Sequence, residues 1–162
     1  MGRIYWCVCG FGLWTGNAWG SDTSQHLADP YSASHLMHGI IFYAVLISFT
    51  KKLSLQARFL IALLIEIGWE LLENSPLIIE RYRAATASME YTGDSILNST
   101  GDILFALVGF WIAYRLPWKW TLALCVVIEV IMLLLYRDNL TLNVLMLLHP
   151  VEDIRSWQML HG

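Results

Sequence analysis

The stretch Ser95–Leu116 reads SILNSTGDILFALVGFWIAYRL, 22 residues of which only two are charged. A helix rises about 1.5 Å per residue, so about 20 apolar residues cross the roughly 30 Å hydrocarbon core of a bilayer. Three other stretches have the same character: Ala33–Thr50, Phe59–Ile79 and Trp120–Tyr136. Open sheets cannot satisfy their backbone hydrogen bonds in lipid, and these runs lack the alternation of a barrel. We therefore predict an all-α, polytopic membrane helical bundle with about four transmembrane helices.

The composition of the whole chain is typical of a membrane protein. Of its 162 residues, 57% are hydrophobic and only 14% are charged, whereas a soluble domain carries about 25% charged residues. The net charge of -3 provides no basic face for a phosphate backbone, which argues against nucleic-acid binding. The length predicts a single integral membrane domain over residues 1–162.

The basic residues predict the orientation of the bundle, because short cytoplasmic loops are enriched in lysine and arginine. The two links that we expect to face the cytoplasm carry five such residues: Lys51, Lys52 and Arg58, then Arg115 and Lys119. The segment before residue 33, the loop 80–94 and the tail after residue 136 are then expected to face outward.

Two segments flank the predicted four-helix membrane bundle of residues 33–136. Residues 1–32 contain the apolar run Ile4–Trp14, which is too short to span, so we expect an outward interfacial segment or a start downstream of the true one. Residues 137–162 form an amphipathic tail with about ten apolar residues. We expect the tail to be an interfacial or re-entrant helix packed against the bundle.

Ionisable residues occur within the predicted spans, where each costs about 2.5–3.5 kcal/mol on insertion scales. Helical spacing predicts that they form polar faces on three spans: His35 and His38; Glu66, Glu70 and Glu73, followed by Asn74; and Asp94, Asn98 and Asp102. At 1.5 Å per residue, the deepest polar residues of these faces lie about 8–13 Å inside the outer ends of their spans. We therefore expect one polar cluster in the outer half of the bilayer.

A mixture of imidazole and carboxylate groups at one depth is typical of a site for a divalent metal, such as Zn²⁺, Mn²⁺ or Fe²⁺. We assign five candidate metal ligands: His35, His38, Glu70, Asp94 and Asp102. Three acids are candidate catalytic groups that would act as acid and base: Glu70, Glu73 and Asp102. Four side chains are candidate substrate-binding groups, with the arginines placed to clamp an anion: Arg81, Arg83, Asn74 and Asn98.

Each of these patterns also has a structural interpretation. The polar set is also compatible with a network that only locks the bundle, and the arginine pair equally with anchoring to lipid head groups. Asp94, after Thr-Gly, is expected to cap the third span, and Ser75 before Pro76 to restart a helix after a break at Asn74. Cys7 and Cys9 have three interpretations: ligands for a metal, a bridge to another chain, or a disulfide with each other.

Several of these residues recur together in one known family. The motifs are Cys7-Val-Cys9-Gly10, Ser34-His35-x-x-His38-Gly39, Glu70-Leu-Leu-Glu73-Asn74-Ser75-Pro76, Glu80-Arg81-Tyr82-Arg83, Gly93-Asp94-Ser95-x-x-Asn98-Ser99-x-Gly101-Asp102 and Arg137-Asp138-Asn139. The chain resembles, over essentially its whole length, the bacterial multi-pass membrane proteins of domain-of-unknown-function family 2585, also called uncharacterised protein family 0314. The resemblance implies an inner-membrane location, no established activity, and one more apolar segment ahead of Gly2-Arg3.

A looser resemblance is to the VanZ-like membrane proteins. Their pattern of a histidine in one span, a glutamate in the next and Asp-x-x-x-Asn-x-x-Gly in a third is similar to His38, Glu70 and the run from Asp94 to Gly101. This resemblance is short and assigns no reaction.

Three functions remain open at the level of sequence. The first is a metal-dependent or acid/base enzyme, or a binding site, for a lipid or lipid-linked head group near the outer leaflet. The second is a non-catalytic accessory subunit of a larger membrane complex, in which small residues such as Gly109 and Ala113 would permit close contact with a partner helix. The third is an ion or proton pathway.

Overall fold

The computed structural model describes residues 2–50 and 52–160, so the predictions made for Met1, Lys51, His161 and Gly162 lie outside the described residues. In this part of the chain there are seven helices and no strand, only one isolated bridge between Trp14 and Ala28. The helices are α1 Ser32–Phe49, α2 Leu55–Glu73, α3 Pro76–Ala85, α4 Ile96–Arg115, α5 Trp118–Tyr136, α6 Leu140–Leu148 and α7 Glu152–Met159. The predicted all-α fold class is confirmed.

Three helices are long and apolar enough to cross a membrane: α1, α4 and α5. Helix α2 has a comparable length of 19 residues, but it carries Arg58 and three glutamates. The prediction of about four spans therefore agrees with three apolar helices and one helix of similar length with a polar face.

The predicted span Phe59–Ile79 is divided in the structure, since α2 ends at Glu73 and α3 begins at Pro76. Proline lacks an amide hydrogen and disfavours the helical conformation of the residue before it. The Ser75 side chain accepts a hydrogen bond from the Ile78 amide and begins the new helix. Glu73 thus lies in the last turn of α2, and α3 extends into the segment that was expected to be a loop.

Helices α1 and α4 form the tightly packed centre of the bundle. A Cβ atom on Gly39 would overlap the carbonyl oxygen of Ala106, and one on Gly109 would overlap that of Leu36. The glycines therefore allow the two backbones to touch, as small residues do between membrane helices. Phe110, 1% exposed, packs edge-on against Tyr43 and belongs to the core cluster that α2 completes.

The N-terminal segment, Gly2–Tyr31, is mostly irregular and covers the start of α4. The amides of Ile96 and Leu97 donate to the carbonyl oxygens of Ile4 and Tyr5. The helix cap is Ser95, whose side chain accepts from the Asn98 amide. The expectation that Asp94 caps this helix is wrong, because its carboxylate is engaged by other side chains.

The tail forms α6 and α7 rather than one helix, since Pro150 and the preceding His149 separate them. The carboxylate of Glu129 in α5 accepts hydrogen bonds from the amides of Leu140 and Thr141. It thereby pairs two amides in the first turn of α6. Tyr82 of α3 donates to Asn143 of α6. These contacts place α6 against α3, beside the end of the bundle where the polar residues lie.

Candidate functional site

His35 of α1 lies at the centre of a group of buried acids. Its Nδ1 is 2.6 Å from Glu66 Oε1 and 3.3 Å from Glu70 Oε1, and its Nε2 is 3.8 Å from Asp102 Oδ2. His38 adds a second imidazole, with Nδ1 3.3 Å from Glu66 Oε2. We call these five residues the His35 cluster.

Helical spacing explains why these groups meet. Glu66 and Glu70 are four residues apart and share one face of α2, while His35 and His38 are three residues apart on α1. The close contact of α1 and α4 brings Asp102 to the same level. Ser32, one turn before His35, donates to Asp102 Oδ1 at 2.8 Å and so fixes that carboxylate.

The cluster contains two sets of potential metal ligands that share one imidazole. The first is His35, His38 and Glu66, and the second is His35, Glu70 and Asp102. Within each set, one ligand atom from every residue lies within 4.8 Å of the others. Both sets combine nitrogen and carboxylate oxygen, which suits Zn²⁺ and other first-row divalent metals.

Several buried carboxylate oxygens of α2 lack a hydrogen-bond partner among the described residues. They are Glu66 Oε2, both oxygens of Glu70, and Glu73 Oε2. Glu70 Oε1 lies near His35 but without the geometry of a hydrogen bond. Buried polar atoms in proteins are almost always paired, so this side of α2 has an unused capacity to bind a proton or a cation.

Asp94 belongs to a neighbouring network and to neither set of potential ligands. Asn74 donates to Asp94 Oδ2 at 2.7 Å and accepts from the Asp94 amide at 2.7 Å, and the Tyr91 hydroxyl donates to Oδ1 at 2.9 Å. This network ties the turn after α2 to the start of α4. The structure thus separates Asp94 from the other four predicted metal ligands, and Glu66 occupies the place expected for it.

The remaining predicted binding residues point to several different neighbours. Asn98 donates to the His26 carbonyl oxygen at 2.8 Å, Arg81 to that of Leu147 at 2.8 Å, and Arg83 to that of Tyr91 at 2.5 Å. The structure does not bring the two guanidinium groups to the His35 cluster, and their role as an anion clamp stays a prediction.

A cavity of about 370 Å³ opens beside the cluster. Its polar end is formed by His35, His38, Glu73, Asp94 and Asp102. Its apolar wall includes Trp19, Trp69, Met89, Leu140, Val144 and Leu147. Neither lysine nor arginine lines this cavity in the described part of the chain, so the polar end is acidic.

Two tyrosines outside the predicted spans also line the cavity. Burial, followed by the charge of the Glu73 carboxylate, raises the pKa of Tyr82, and burial together with Asp94 raises the pKa of Tyr91. Both phenols are therefore neutral at physiological pH and present O–H donors.

The sequence pattern did not identify all of the residues that build this site. Glu66 shares a helix face with Glu70 and was recognised as polar, yet nothing in one sequence ranked it above Asp94. Ser32 and Tyr82 gave only weak signals, because serine and tyrosine are common at helix ends and boundaries. These signals were the spacing of Ser32 from His35 and the place of Tyr82 in the motif Glu80-Arg81-Tyr82-Arg83.

Comparison with known proteins gives the family of the chain. Residues 1–160 match the family model described as "Protein of unknown function (DUF2585)". A UPF0314 protein of Rhizobium etli (strain CIAT 652) is 52% identical over 98% of this chain and 82% of its own length. UPF0314 proteins of Brucella anthropi and Paracoccus denitrificans are 51% and 49% identical, over 97% and 98% of this chain and 80% and 82% of their own lengths.

No solved structure matches the chain. The resemblance to VanZ-like proteins is not shown by these matches, whereas the first resemblance is confirmed at high identity over almost the whole chain. The chain belongs to the DUF2585 (UPF0314) family, whose members carry no assigned function in their names.

Proposed function

We propose that this protein is a bacterial inner-membrane protein whose His35 cluster binds a divalent cation and acts on the head group of a lipid or lipid-linked substrate. One observation carries the proposal: four buried carboxylate oxygens of α2, three of them on Glu66 and Glu70 beside His35, have no hydrogen-bond partner in the described residues. The cavity next to them supplies the space for a substrate.

The balance of charge favours a cation. Four acids converge here, Glu66, Glu70, Glu73 and Asp102, against the two imidazoles of α1. Even with both imidazoles protonated, four ionised carboxylates would leave an excess of negative charge in a low-dielectric region, which is costly. A divalent cation removes that excess and gives the unpartnered oxygens a ligand.

The two ligand sets define which residues would hold the cation. His35 belongs to both, so its loss would weaken binding at either position. His38 and Glu66 would hold the cation nearer to Trp69, whereas Glu70 and Asp102 would hold it nearer to α4. A bound divalent cation would supply Lewis-acid polarisation of a phosphoryl or carbonyl oxygen.

Residues of the chain that reach the cavity would handle protons and position the substrate. Glu73 lines the cavity with one unpartnered oxygen, so it is the acid placed to exchange a proton with a bound molecule. Tyr82 and Tyr91 donate their hydroxyl hydrogens to Asn143 and Asp94, so they would fix these two side chains at the wall of the cavity and offer their own oxygens as acceptors.

The shape of the cavity favours a head group with a short length of hydrocarbon. Its volume of about 370 Å³ lies at the lower end of the range for small-molecule sites. The indole of Trp69 lies edge-on to His38, with ring centroids 5.9 Å apart. An apolar chain packed on Trp69 and the α6 leucines would therefore place its polar end against the cluster.

Metal analysis of the purified full chain in mild detergent tests the proposal. We expect about one divalent metal per chain after dialysis against limiting Mn²⁺ or Zn²⁺, and at least a tenfold weaker affinity in His35→Gln and Glu70→Gln, since ligand and supporting groups each contribute about 10–100-fold. Glu80→Gln is the matched control, because Glu80 is exposed on α3.

A second experiment tests whether the protein binds a lipid substrate. Metal-loaded protein should retain more anionic phospholipid through detergent washing than chelator-treated protein, with both assayed by lipid mass spectrometry. Equal affinity of wild type and His35→Gln for both metals would overturn the metal assignment. Retention that does not depend on metal would overturn the head-group assignment.

A further inference from the structure

A second group of reactive side chains lies in the N-terminal segment, away from the His35 cluster. Cys7 and Cys9 form a disulfide, and Cys9 Sγ lies 3.7 Å from Nε2 of His26. None of these three residues lines the cavity. The same three residues form a set whose sulfur and nitrogen atoms lie within 4.8 Å of one another.

The two sulfurs differ in exposure. Cys7 is buried, with 6% of its surface exposed, and its amide donates to the Gln25 carbonyl oxygen. Cys9 is exposed on the surface of the segment. An incoming thiolate therefore has easier access to Cys9 than to Cys7.

Each sulfur also has a group that would stabilise it as a thiolate. The Cys9 amide donates to Cys7 Sγ at 3.1 Å, which favours Cys7 as the leaving group when the bond breaks. His26 faces Cys9, and its Nε2 also lies 3.6 Å from Asp22 Oδ2. His26 is 9% exposed, and its Nδ1 is buried with no hydrogen-bond partner in the described residues.

We propose that Cys7 and Cys9 form a reversible thiol–disulfide exchange site, in which Cys9 is the sulfur attacked by a partner dithiol and His26 stabilises its thiolate. The partner belongs to the class of small-molecule or protein dithiols. This inference does not depend on the function proposed for the His35 cluster.

The exchange is balanced in two steps. One thiolate of the partner attacks Cys9 Sγ, the Cys7–Cys9 bond breaks, and its electron pair leaves on Cys7 Sγ, which takes up a proton from solvent. The second thiolate of the partner then attacks the partner's own sulfur in the mixed disulfide, and Cys9 leaves as a thiolate beside His26. The chain gains two electrons and one proton, which Cys7 holds while Cys9 remains a thiolate, and the partner becomes a disulfide.

The difference between the two sulfurs gives the first test. In a Cys125→Ser background, which removes the free cysteine, full-length Cys7→Ser and Cys9→Ser proteins are incubated with glutathione disulfide and analysed by mass spectrometry. We expect Cys7→Ser to form the mixed disulfide about tenfold faster, because its remaining thiol is exposed and faces His26. Equal rates would overturn the assignment of Cys9 as the attacked sulfur.

The role of His26 is tested by a pH profile with both cysteines present. The protein is reduced with dithiothreitol, and re-oxidation by glutathione disulfide is followed by loss of reactive thiols. We expect His26→Ala to re-oxidise about tenfold more slowly at pH 7, with the difference disappearing near pH 9, where a thiol ionises without help. His149→Ala is the control, since His149 is exposed in the turn after α6.

A disulfide with only a structural role gives a different set of results. Its reduction by dithiothreitol would require unfolding of the segment and would accelerate with added denaturant, and the His26→Ala profile would run parallel to that of wild type at all pH values. Either result overturns the proposal. Wild-type protein alone is sufficient for the denaturant measurement, so the test does not depend on the folding of a variant.

Discussion

Asp138 is a buried carboxyl group whose environment differs between the folded and unfolded chain. It follows α5, is 3% exposed, and accepts hydrogen bonds from the Tyr31 hydroxyl, the Asn139 amide and Gln158. Burial raises its pKa from 3.8 to about 6, although these hydrogen bonds oppose the increase. At a pH between these two values, the carboxyl group of Asp138 therefore keeps its proton in the folded protein and has lost it in the unfolded chain.

The sign of the resulting pH dependence follows from this difference. The contribution of Asp138 to the free energy of unfolding is fully present below about pH 4 and is lost as the pH rises through about 6. The difference between the pKa values of the folded and the unfolded chain corresponds to about 3 kcal/mol in the free energy of unfolding. We expect Asp138→Asn to remove this decrease in the free energy of unfolding between pH 4 and 7, as measured by denaturant unfolding in detergent. Asp153→Asn is the control, because Asp153 is exposed in α7, and this variant should retain the decrease. An unchanged pH profile in Asp138→Asn would contradict the assignment.

Single residues also mark the limit of what the sequence predicts about the site. Helical spacing placed Glu66 and Glu70 on one face, and the structure brings both to His35. Spacing cannot tell which neighbour an acid will face, because that depends on how the helices rotate against one another. Asp94 was therefore grouped with the metal ligands, although Asn74 holds it in a separate network.

At the scale of elements, the sequence predicted long helices better than their interruptions. The ends of α1, α4 and α5 lie within two residues of the predicted spans, because sustained apolar runs determine them. Two predictions overlapped at the end of α2: the apolar run to Ile79 favoured one continuous span, and Ser75-Pro76 predicted a new helix after a break at Asn74. The second prediction is confirmed. The helix is interrupted here because proline has no amide hydrogen to donate to the preceding turn, as a continuous helix would require, and because the serine side chain caps the new helix.

The contact of α1 with α4 depends on glycines and gives the next prediction. We expect Gly109→Ala to lower the free energy of unfolding by about 1–3 kcal/mol, because its Cβ would overlap the Leu36 carbonyl oxygen, and backbone atoms cannot move aside without separating the helices. Gly68→Ala in α2 is the matched control: nothing lies within 4 Å of its Cβ, so a gain of about 0.5–1 kcal/mol is expected from helix propensity. Unfolding in mixed micelles measures both, and equal effects would show that the α1–α4 contact does not limit stability.

At the scale of the whole molecule, charge is distributed differently at the two ends of the bundle. The end that includes the α1–α2 link and the start of α5 carries Arg58, Arg115, Lys119 and exposed Lys52, with no acid in residues 49–60 or 112–122. The opposite end carries the cluster, the cavity and most of the acids, together with arginines. The positive-inside rule predicts that the first end is cytoplasmic.

The disulfide provides an independent argument for the same orientation. Cys7 and Cys9 belong to the segment that covers the start of α4, at the end of the bundle that holds the cluster. Disulfides persist in the periplasm and are rare in the cytosol. Both considerations predict that the cavity lies on the periplasmic side, where a lipid-linked head group of the outer leaflet would meet it.

Cysteine labelling in intact cells tests this orientation. In a Cys125→Ser background, we expect an impermeant maleimide to label Glu90→Cys, which lies exposed between α3 and α4, and to label Lys119→Cys only after the membrane is permeabilised. The native pair is bonded in the structure, and the Cys125→Ser protein without an added cysteine measures any labelling that comes from this pair. The two positions lie at opposite ends of the bundle, so each serves as the control for the other. The reverse pattern would place the cavity in the cytoplasm and would require a substrate from the inner leaflet, whereas the metal chemistry of the His35 cluster would be unaffected.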